Sequence, residues 1–556
     1  MVAPPPDLVP ILPLPHPAYP SAVDVEVKIN GVWESLTADV VDDIVVKRGI
    51  KGSGYLDRVA STGTMTFVLR NDSACLGGIA GFYIPQYNNA KNGWGLGLSV
   101  RLTVTYDETP FVKFYGHITA IKTSPDIYTQ RVEVVVSDWF DYAASHSIRN
   151  LPVEFNKDIS GAVTSILSKM PVAPLNTQFS TGVDTFPTVF DGNNKSTKAL
   201  NEFNKLALSE YGYVYMRTDP LLGETLVVEN RRDRSATSVP NQVPLASISS
   251  DFLCAESGDG LLTEDDLELL VNQTQLLALS STMYETEVLY GDRLVNKVTV
   301  TNHPRKVDTS HVVLFTLSNP VEVKAGETKP LVRTSYKDPD NLAESVSGMD
   351  MQTPVATTDY RMYQNSDGTG FDLTPSLSVT VTFYNNEFTY VFQNMGLTTG
   401  WVTFFQVRGK GVYTYEELEY EAEDPASAAL LGDRELHIDQ KYQNDIYTSA
   451  AVAELILAQS SIPTRDVSSV KILANIDESM LYSFLTVDIG SLILLFDQPN
   501  YLNSYYYVQN IEFTIKQGGI IWAEIGVKEA ISLTEAYWML GSAGFSELGS
   551  TTIVGY

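Results

Sequence analysis

The chain has 556 residues, 44% of them hydrophobic, with 38 Lys and Arg against 67 Asp and Glu, for a formal charge of −29. That length exceeds what one hydrophobic core fills and predicts about three to five domains. The acidic balance argues against a sequence-specific nucleic-acid binder, which needs a basic footprint, and against attachment to an anionic membrane surface. Two cysteines, Cys75 and Cys254, make neither a disulfide framework nor a zinc site, so folding in a bacterial cytoplasm is expected. No apolar run approaches the roughly 18 residues of a membrane-spanning helix. Thirty Tyr and 22 Phe, with many Val and Thr, favour strands.

Residues 1–20, MVAPPPDLVPILPLPHPAYP, carry no basic n-region and no signal-peptide h-region. Their proline density predicts an extended arm, either loose or laid on a neighbour. From 21 to 150 the chain reads as a first β unit. Val23, Val25, Val27 and Ile29 alternate up to a hairpin signal at Asn30-Gly31. Val100, Leu102, Val104 and Tyr106 form one face of a strand that turns at Asp107-Glu108-Thr109-Pro110. FVKFYGHITAI and QRVEVVVSDWFD follow, separated by a turn near Ser124-Pro125-Asp126, which makes a β-meander.

Composition changes at 151. NKDISGAVTSILSKM predicts a helix capped by Asp158 or Ser160. STKALNEFNKLALSEYG predicts another, capped by Ser196 or Thr197 and closed by Gly212 as its C′ residue. A hairpin about Asp219-Pro220 completes a small α+β module over 151–235. The connector at 236–303 holds a possible capping box, Thr263 with Asp266, and then returns to strand at NKVTVTN. Strand runs at short spacing across 304–425 predict an inserted β-sandwich. Over 426–535 come a helix capped by Thr448 or Ser449 and stopped by Pro463, then a closing meander, FLTVDIGSLILLF and SYYYVQNIEFTIKQGGIIWAEIGVKEA. This meander matches the one at 97–137 in order: Gly490 opens one and Gly97 the other. NKVTVTN and ELHIDQ, which flank the insertion, read as strands of this same second barrel. Residues 536–556 form a small polar tail.

Arg48-Gly49, the run Gly63-Thr64-Met65-Thr66-Phe67-Val68-Leu69-Arg70-Asn71, Phe114-Tyr115-Gly116-His117-Ile118 and Ser137-Asp138 resemble, in order, the scaffold phrases of the first barrel of phage tail-tip and baseplate hub proteins. The resemblance extends over most of 21–235, 285–303 and 430–530. It implies a mainly β, multi-domain chain with two related β-barrel hub domains, a small α+β module and an inserted sandwich. It also implies a homotrimer in which three chains set six barrels in a ring. That ring would join the tail tube or a distal tail protein, and the tape-measure protein, to tip, spike or fibre receptor-binding proteins. It would sit in the virion tail and gate a channel through which DNA only passes. On that reading the −29 charge is either plain solubility or an acidic channel wall. Arg48, Arg70, Arg101, Arg231, Arg232 and Arg234 are then the expected chain–chain contacts.

No chemistry competes strongly with this scaffold role. His16, His117, His146, His303, His311 and His437 form no metal-ligand spacing, and His303 and His311 read as a solvated loop. There is no nucleophile elbow, P-loop or dinucleotide fingerprint. DGNNKS and NSDGTG only faintly suggest calcium loops and lack EF-hand spacing. No catalytic residue, cofactor or metal is expected. The alternatives are a tail-associated cell-wall hydrolase, since any two of 67 carboxylates could pair, and a carbohydrate-binding adhesin. The adhesin would use Tyr384, Phe388, Tyr390, Phe392, Trp401, Phe404 and Phe405 of the insertion, which alternate as a sandwich core does.

Overall fold

The computed structural model describes residues 17–125, 130–149, 151–191, 196–219, 223–234, 277–279, 283–497 and 502–530. The Thr263–Asp266 capping box, Cys254, His16, most of the N-terminal arm and the C-terminal tail lie outside them.

The protein is mainly β, in several sheets. Strands β1 (Ala22–Ile29), β2 (Val32–Ser35), β3 (Ile44–Gly49), β4 (Ser61–Arg70), β5 (Ser99–Tyr106), β6 (Thr109–Pro125) and β7 (Gln130–Ser137) make the first half. In β4, Met65, Phe67 and Leu69 are buried while Thr64, Thr66 and Val68 between them are only partly covered. That is the period of two that a sheet with one buried face imposes. Each such apolar side chain contributes about 1.5–3 kcal/mol. Two of the expected turns form, while those near Ser124-Pro125-Asp126 and at Asp219-Pro220 lie partly outside the described residues. Asn30 and Gly31 (φ 50° and 84°), and Asp107 and Glu108 (φ 47° and 61°), are left-handed at both central positions, matching the twist of the strands they join.

The module after β7 has helices α1 (Phe140–Ser145), α2 (Ile159–Leu167) and α3 (Ala199–Glu210) with the hairpin β8 (Tyr213–Asp219) and β9 (Gly223–Glu229). Asp158 caps α2 by accepting from the Gly161 N–H at 2.9 Å. At α3 the expected caps are replaced: the N-cap is Lys198, and the Thr197 hydroxyl donates to Glu202 instead. The left-handed residue is Tyr211 (φ 61°), not Gly212. Arg58 accounts for this. It stacks 3.4 Å from the Tyr211 ring and donates to its carbonyl, and it fixes the tyrosine where a glycine usually serves. Gly212 is needed for a different reason, because a Cβ there would meet Glu229 O at 2.1 Å.

The second half contains β10 (Met283–Tyr290), β11 (Lys297–Asn302), the insertion with β12 (Leu377–Phe383), β13 (Glu387–Asn394) and β14 (Gly400–Thr414), then β15 (Leu418–Glu423), α4 (Pro425–Leu431), β16 (Glu435–Gln440), α5 (Ile446–Ser460), β17 (Arg465–Leu473), α6 (Glu478–Thr486), β18 (Leu492–Asp497), β19 (Leu502–Ile515) and β20 (Ile521–Glu529). Asp445 caps α5, in place of the expected Thr448 or Ser449.

Strands from both halves join one 13-stranded sheet, whose path runs β10-β17-β20-β19-β3-β4-β7-β6-β5-β1-β2, with β18 paired to β19 and the short strand Leu277–Leu279 paired in parallel to β18. One hydrophobic cluster underlies it, from Val25 and Phe67 through to Phe513 and Ile525. NKVTVTN and ELHIDQ do not enter that sheet. As β11 and β16 they pair in parallel with each other and, with β15, form a separate three-stranded sheet. Its own core of Val298, Val300, Ile438, Val452 and Ile456 packs α5 against it. The alternating apolar residues predicted strands correctly but carried no information on which sheet received them.

The insertion is a nine-stranded sheet folded over its own cluster, in which Phe388, Tyr390, Phe392 and Phe405 are buried. Those aromatics are core, not an exposed sugar platform, and Trp401, Phe404 and Tyr384 are half-buried.

Candidate functional site: the junction between the two halves

The two meanders agree beyond strand order. The Gly97 N–H donates to Ile118 O (2.8 Å), and the Ile118 N–H returns to Leu98 O (2.9 Å). The Gly490 N–H donates to Val508 O (2.9 Å), and the Val508 N–H returns to Ser491 O (2.9 Å). The glycines have φ of 81° and 83°. One residue further on, both long strands bulge. Ile118 faces Val136 and Ala120 faces Val135, so Thr119 is extra; Val508 faces Val527 and Asn510 faces Gly526, so Gln509 is extra. Conserving the position of a bulge in both copies marks them as one structural unit used twice. β3 to β7 correspond to β10, β17, β18, β19 and β20. Gly49 is matched by Gly291: Gly49 faces Ser61, and the Gly291 N–H donates to Thr464 O, at the same step of the ladder.

The halves meet where β3 pairs antiparallel with β19, Ile44 facing Ile515 and Gly49 facing Asn510. Gly49 is required there, since a Cβ would lie 2.4 Å from Gln509 O. A buried charged cluster closes the junction. Arg48 Nη2 is 2.9 Å from Asp488 Oδ1. Asp488 Oδ2 accepts from the Thr218 N–H (2.9 Å) and hydroxyl (2.8 Å), which ties in the α+β module. Burial works against the Asp488 charge, but Arg48 and then Lys113 more than offset it, so its pKa lies below the ordinary value. Lys113, from β6, donates to the carbonyls of Phe484 (2.9 Å), Leu485 (3.1 Å) and Val487 (3.2 Å) at the end of α6. Burial lowers its pKa to about 7, against the pull of Asp488. Cations at a helix C-terminus complement its unpaired carbonyls.

A second cluster surrounds Tyr213. Arg58 (4.5 Å), Arg234 (3.8 Å) and Lys528 (6.0 Å) lie over its ring. Burial pushes the Tyr213 phenol up, but these three cations together bring it down to about 7. Arg234 Nε also donates to Glu229 Oε2 at 2.6 Å.

These clusters account for several of the expected contact arginines. Arg48 and Arg234 are buried inside the chain and paired there. Arg231 pairs with Asp184 at 2.8 Å, and Arg101 with Glu26 at 2.6 Å. Arg70 is half-buried on β4, facing Arg131 in the ladder, and Arg232 is exposed. The junction brings only Arg48 of the six into its charged cluster. Asp488 and Lys113 were not singled out from the sequence. Lys113 is the extra residue of a bulge in β6, where Leu102 faces Phe114 and Thr103 faces Val112, so it is buried out of phase with Phe114, Gly116 and Ile118, and alternation in FVKFYGHI does not mark it.

His303 is buried, not solvated, with Nε2 2.6 Å from Asp439 Oδ1. His117 stacks on Tyr142 at 4.1 Å beside Asp141. Asp367 of NSDGTG accepts from the Thr369 N–H and hydroxyl, closing its own turn, whereas residues 192–195 of DGNNKS lie outside the described residues. Among the described residues no three His, Cys, Asp or Glu side chains form a metal-holding group, and no helix is long and apolar enough to cross a membrane.

No family model matches the chain, and no curated protein does. Among solved structures, the chain is similar to a tail protein from Neisseria meningitidis MC58 (8% identity, 91% of this chain and 96% of that one, TM-score 0.43). It is also similar to the 43 kDa tail protein of prophage MuSo2 from Shewanella oneidensis (10%, 91% and 98%, TM-score 0.41). A third is prophage tail protein gp18 from Listeria monocytogenes EGD-e (8%, 92% and 96%, TM-score 0.38).

Proposed function

We propose that the chain is a non-catalytic structural hub of a tailed-phage tail tip or baseplate. The observation that carries this reading is the duplication, matched down to the hydrogen bonds of Gly97 and Gly490 and the bulges at Thr119 and Gln509. A chain holding the same unit twice, joined by a sheet, presents two successive positions of a ring. Three such chains would present six, and a threefold hub could then meet a sixfold tube. On this reading 21–150 is the first hub barrel, 151–235 a side module, 304–425 an insertion, and the strands at 283–290 and 465–529 form the second hub barrel. The ring joins a tail tube or distal tail protein, with the tape measure, to tip, spike or fibre proteins, and it passes DNA without holding it. Native mass spectrometry of the purified protein and of the assembled tail tests the reading: a mass of three chains is expected, and a stable dimer or six identical copies would end it.

A further inference from the structure

An unpaired strand edge is a set of main-chain donors and acceptors awaiting a partner, and long exposed edges are normally covered or blunted. The internal duplication identifies two such edges here by comparison with their paired counterparts. β19 has two neighbours on one side: β18 covers residues 502–507, and β3 covers 510–515. β6, its counterpart, has β5 against residues 109–117 on that side. Among the described residues nothing covers the next stretch, 119–125, there. The consequence is visible in the side chains. Ile511 and Phe513 of β19 are buried; at the equivalent places Ile121 is half-buried and Thr123 exposed, with Lys122 and Ser124 exposed beside them.

The strand that would fill the gap also exists, and it lacks its partner. β10 is the counterpart of β3, and it ends the 13-stranded path with β17 on one side only. It is eight residues long and carries Tyr284 and Tyr290 at 71% and 74% exposure. Gly291 stands where Gly49 stands. Gly49 has β19 pressed against it, with Gln509 O 2.4 Å from a built Cβ, whereas the nearest atom at Gly291 is Pro463 Cβ at 3.5 Å. Both glycines have positive φ, 113° and 74°.

We propose that β10 of one chain adds to the open half of β6 in a second copy of this chain, in the register that β3 and β19 already use within the chain. The proposal rests on the ring reading above and supplies the contact that closes it. Transferring the register places Glu287 opposite Ser124, Val288 opposite Thr123, Leu289 opposite Lys122, Tyr290 opposite Ile121 and Gly291 opposite Ala120 of the neighbour. Tyr290 then covers Ile121, and Lys122 lies diagonal to Glu287, within reach of an opposite-charge contact. Because the donor strand belongs to the second half and the acceptor to the first, the contact is head-to-tail and repeats around a ring.

Disulfide trapping on the full chain tests it. Cross-strand neighbours have Cα atoms about 4.5–5.5 Å apart, within disulfide range. The variants are Glu287→Cys with Ser124→Cys, and Tyr290→Cys with Ile121→Cys. The out-of-register control is Tyr290→Cys with Ser124→Cys. Links are located by peptide mapping, so Cys75 and Cys254 do not confuse the result. The two in-register pairs should give a covalent product of three chains and the control none. A wild-type protein with the mass of three chains whose in-register variants do not cross-link overturns this strand pairing and leaves the ring reading standing. In-register links that run on past three chains keep the pairing and overturn the ring. Monomer throughout, without links, overturns both. Amide exchange on the unmodified protein is an independent check. Alternate amides of a strand point to opposite neighbours, so within 120–124 and 286–290 the amides that do not bond to β7 or β17 should be protected in the assembled protein and exchange rapidly in diluted monomer; rapid exchange of these amides in the assembly overturns the pairing.

Discussion

The guanidinium of Arg48 lies 2.9 Å from the Asp488 carboxylate, with side chains 4% and 11% exposed, so the first half of the chain supplies the cation and the second half the acid that neutralises it. Removing one member leaves the other charged in a dry setting. Arg48→Ala should therefore cost about 3–5 kcal/mol, read from urea unfolding midpoints. Asp488→Asn, which keeps the shape, should retain more of the stability than Arg48→Ala does. The acid has a folded pKa below its unfolded value of about 3.9. Its contribution is therefore complete above that unfolded value and is lost as pH falls through the lower, folded one. Acid unfolding of Asp488→Asn should lack this component.

Lys113 predicts a pH effect of opposite range. Its pKa falls from 10.5 to about 7 on folding, so between those two values the unfolded chain binds more protons. Stability from this group must then rise with pH across that window. Urea midpoints measured from pH 7 to 10 should show the rise in the wild type and a flatter profile in Lys113→Met. The variant should also lose stability at every pH, because the carbonyls of Phe484, Leu485 and Val487 lose their buried donor.

The three arginines of the ENRRDR segment should behave differently from one another. Arg232 is exposed, and Arg232→Glu should move stability by no more than about 0.5 kcal/mol. Arg234 is buried among Tyr213, Tyr215 and Tyr507 and donates to Glu229. Arg234→Lys loses the planar stacking as well as a fork donor, so it should destabilise by roughly 2 kcal/mol or more despite keeping the charge. The triple Glu variant at 231, 232 and 234 should consequently unfold the single chain before it reports on assembly. Thermal unfolding at low protein concentration separates the cases.

Excision of the insertion should be tolerated if the cut respects the small sheet. Asn302 faces Leu418 across β11 and β15, so a short glycine-containing turn can replace residues 305–415. The price is the contacts to the side module: Arg305 with Asp191, Ser347 with Asp191 O and Asn385 with Phe190 O. A cooperative melt with an unchanged number of chains in the assembly is the expected result. Cutting instead at 304–425 deletes β15 and should destabilise α5, which packs on that sheet.

The charge yields a further expectation. With 67 acids against 38 bases, net repulsion opposes the counterion-releasing contacts that duplex binding needs. A gel shift with duplex DNA at about physiological ionic strength should show no retardation, and retardation that weakens with salt would contradict an acidic passage.

What the sequence made legible was local. The Asn30-Gly31 and Asp107-Glu108 turns, the Asp158 cap and the paired meanders follow from residues within a few positions of one another. Sheet membership did not. NKVTVTN and ELHIDQ alternate like any half-buried strand, and nothing in their residues says that they leave the large sheet to pair with each other. Long-range partners were equally hidden: Asp488 is one of 67 acids until folding sets it against Arg48 and Lys113. At the α3 terminus Gly212 takes the expected C′ position, but the left-handed residue is Tyr211, held by a cation stacked on its ring, an influence that lies outside any local window.

The bulges at Thr119 and Gln509 have a further consequence for how this gene can change. Past each of them, inside and outside trade places along the strand, so a one-codon deletion at Thr119 would turn Ala120 and every later residue of β6 over to the opposite face. Insertions and deletions of an odd number of residues therefore turn the faces over in the middle of these two strands, while the turn at Gly518-Gly519 and the break at 302–418 can absorb length freely. The two halves have diverged in side chains, as at Thr123 and Phe513, yet in both the extra residue stands one position past the strand residue that bonds the opening glycine.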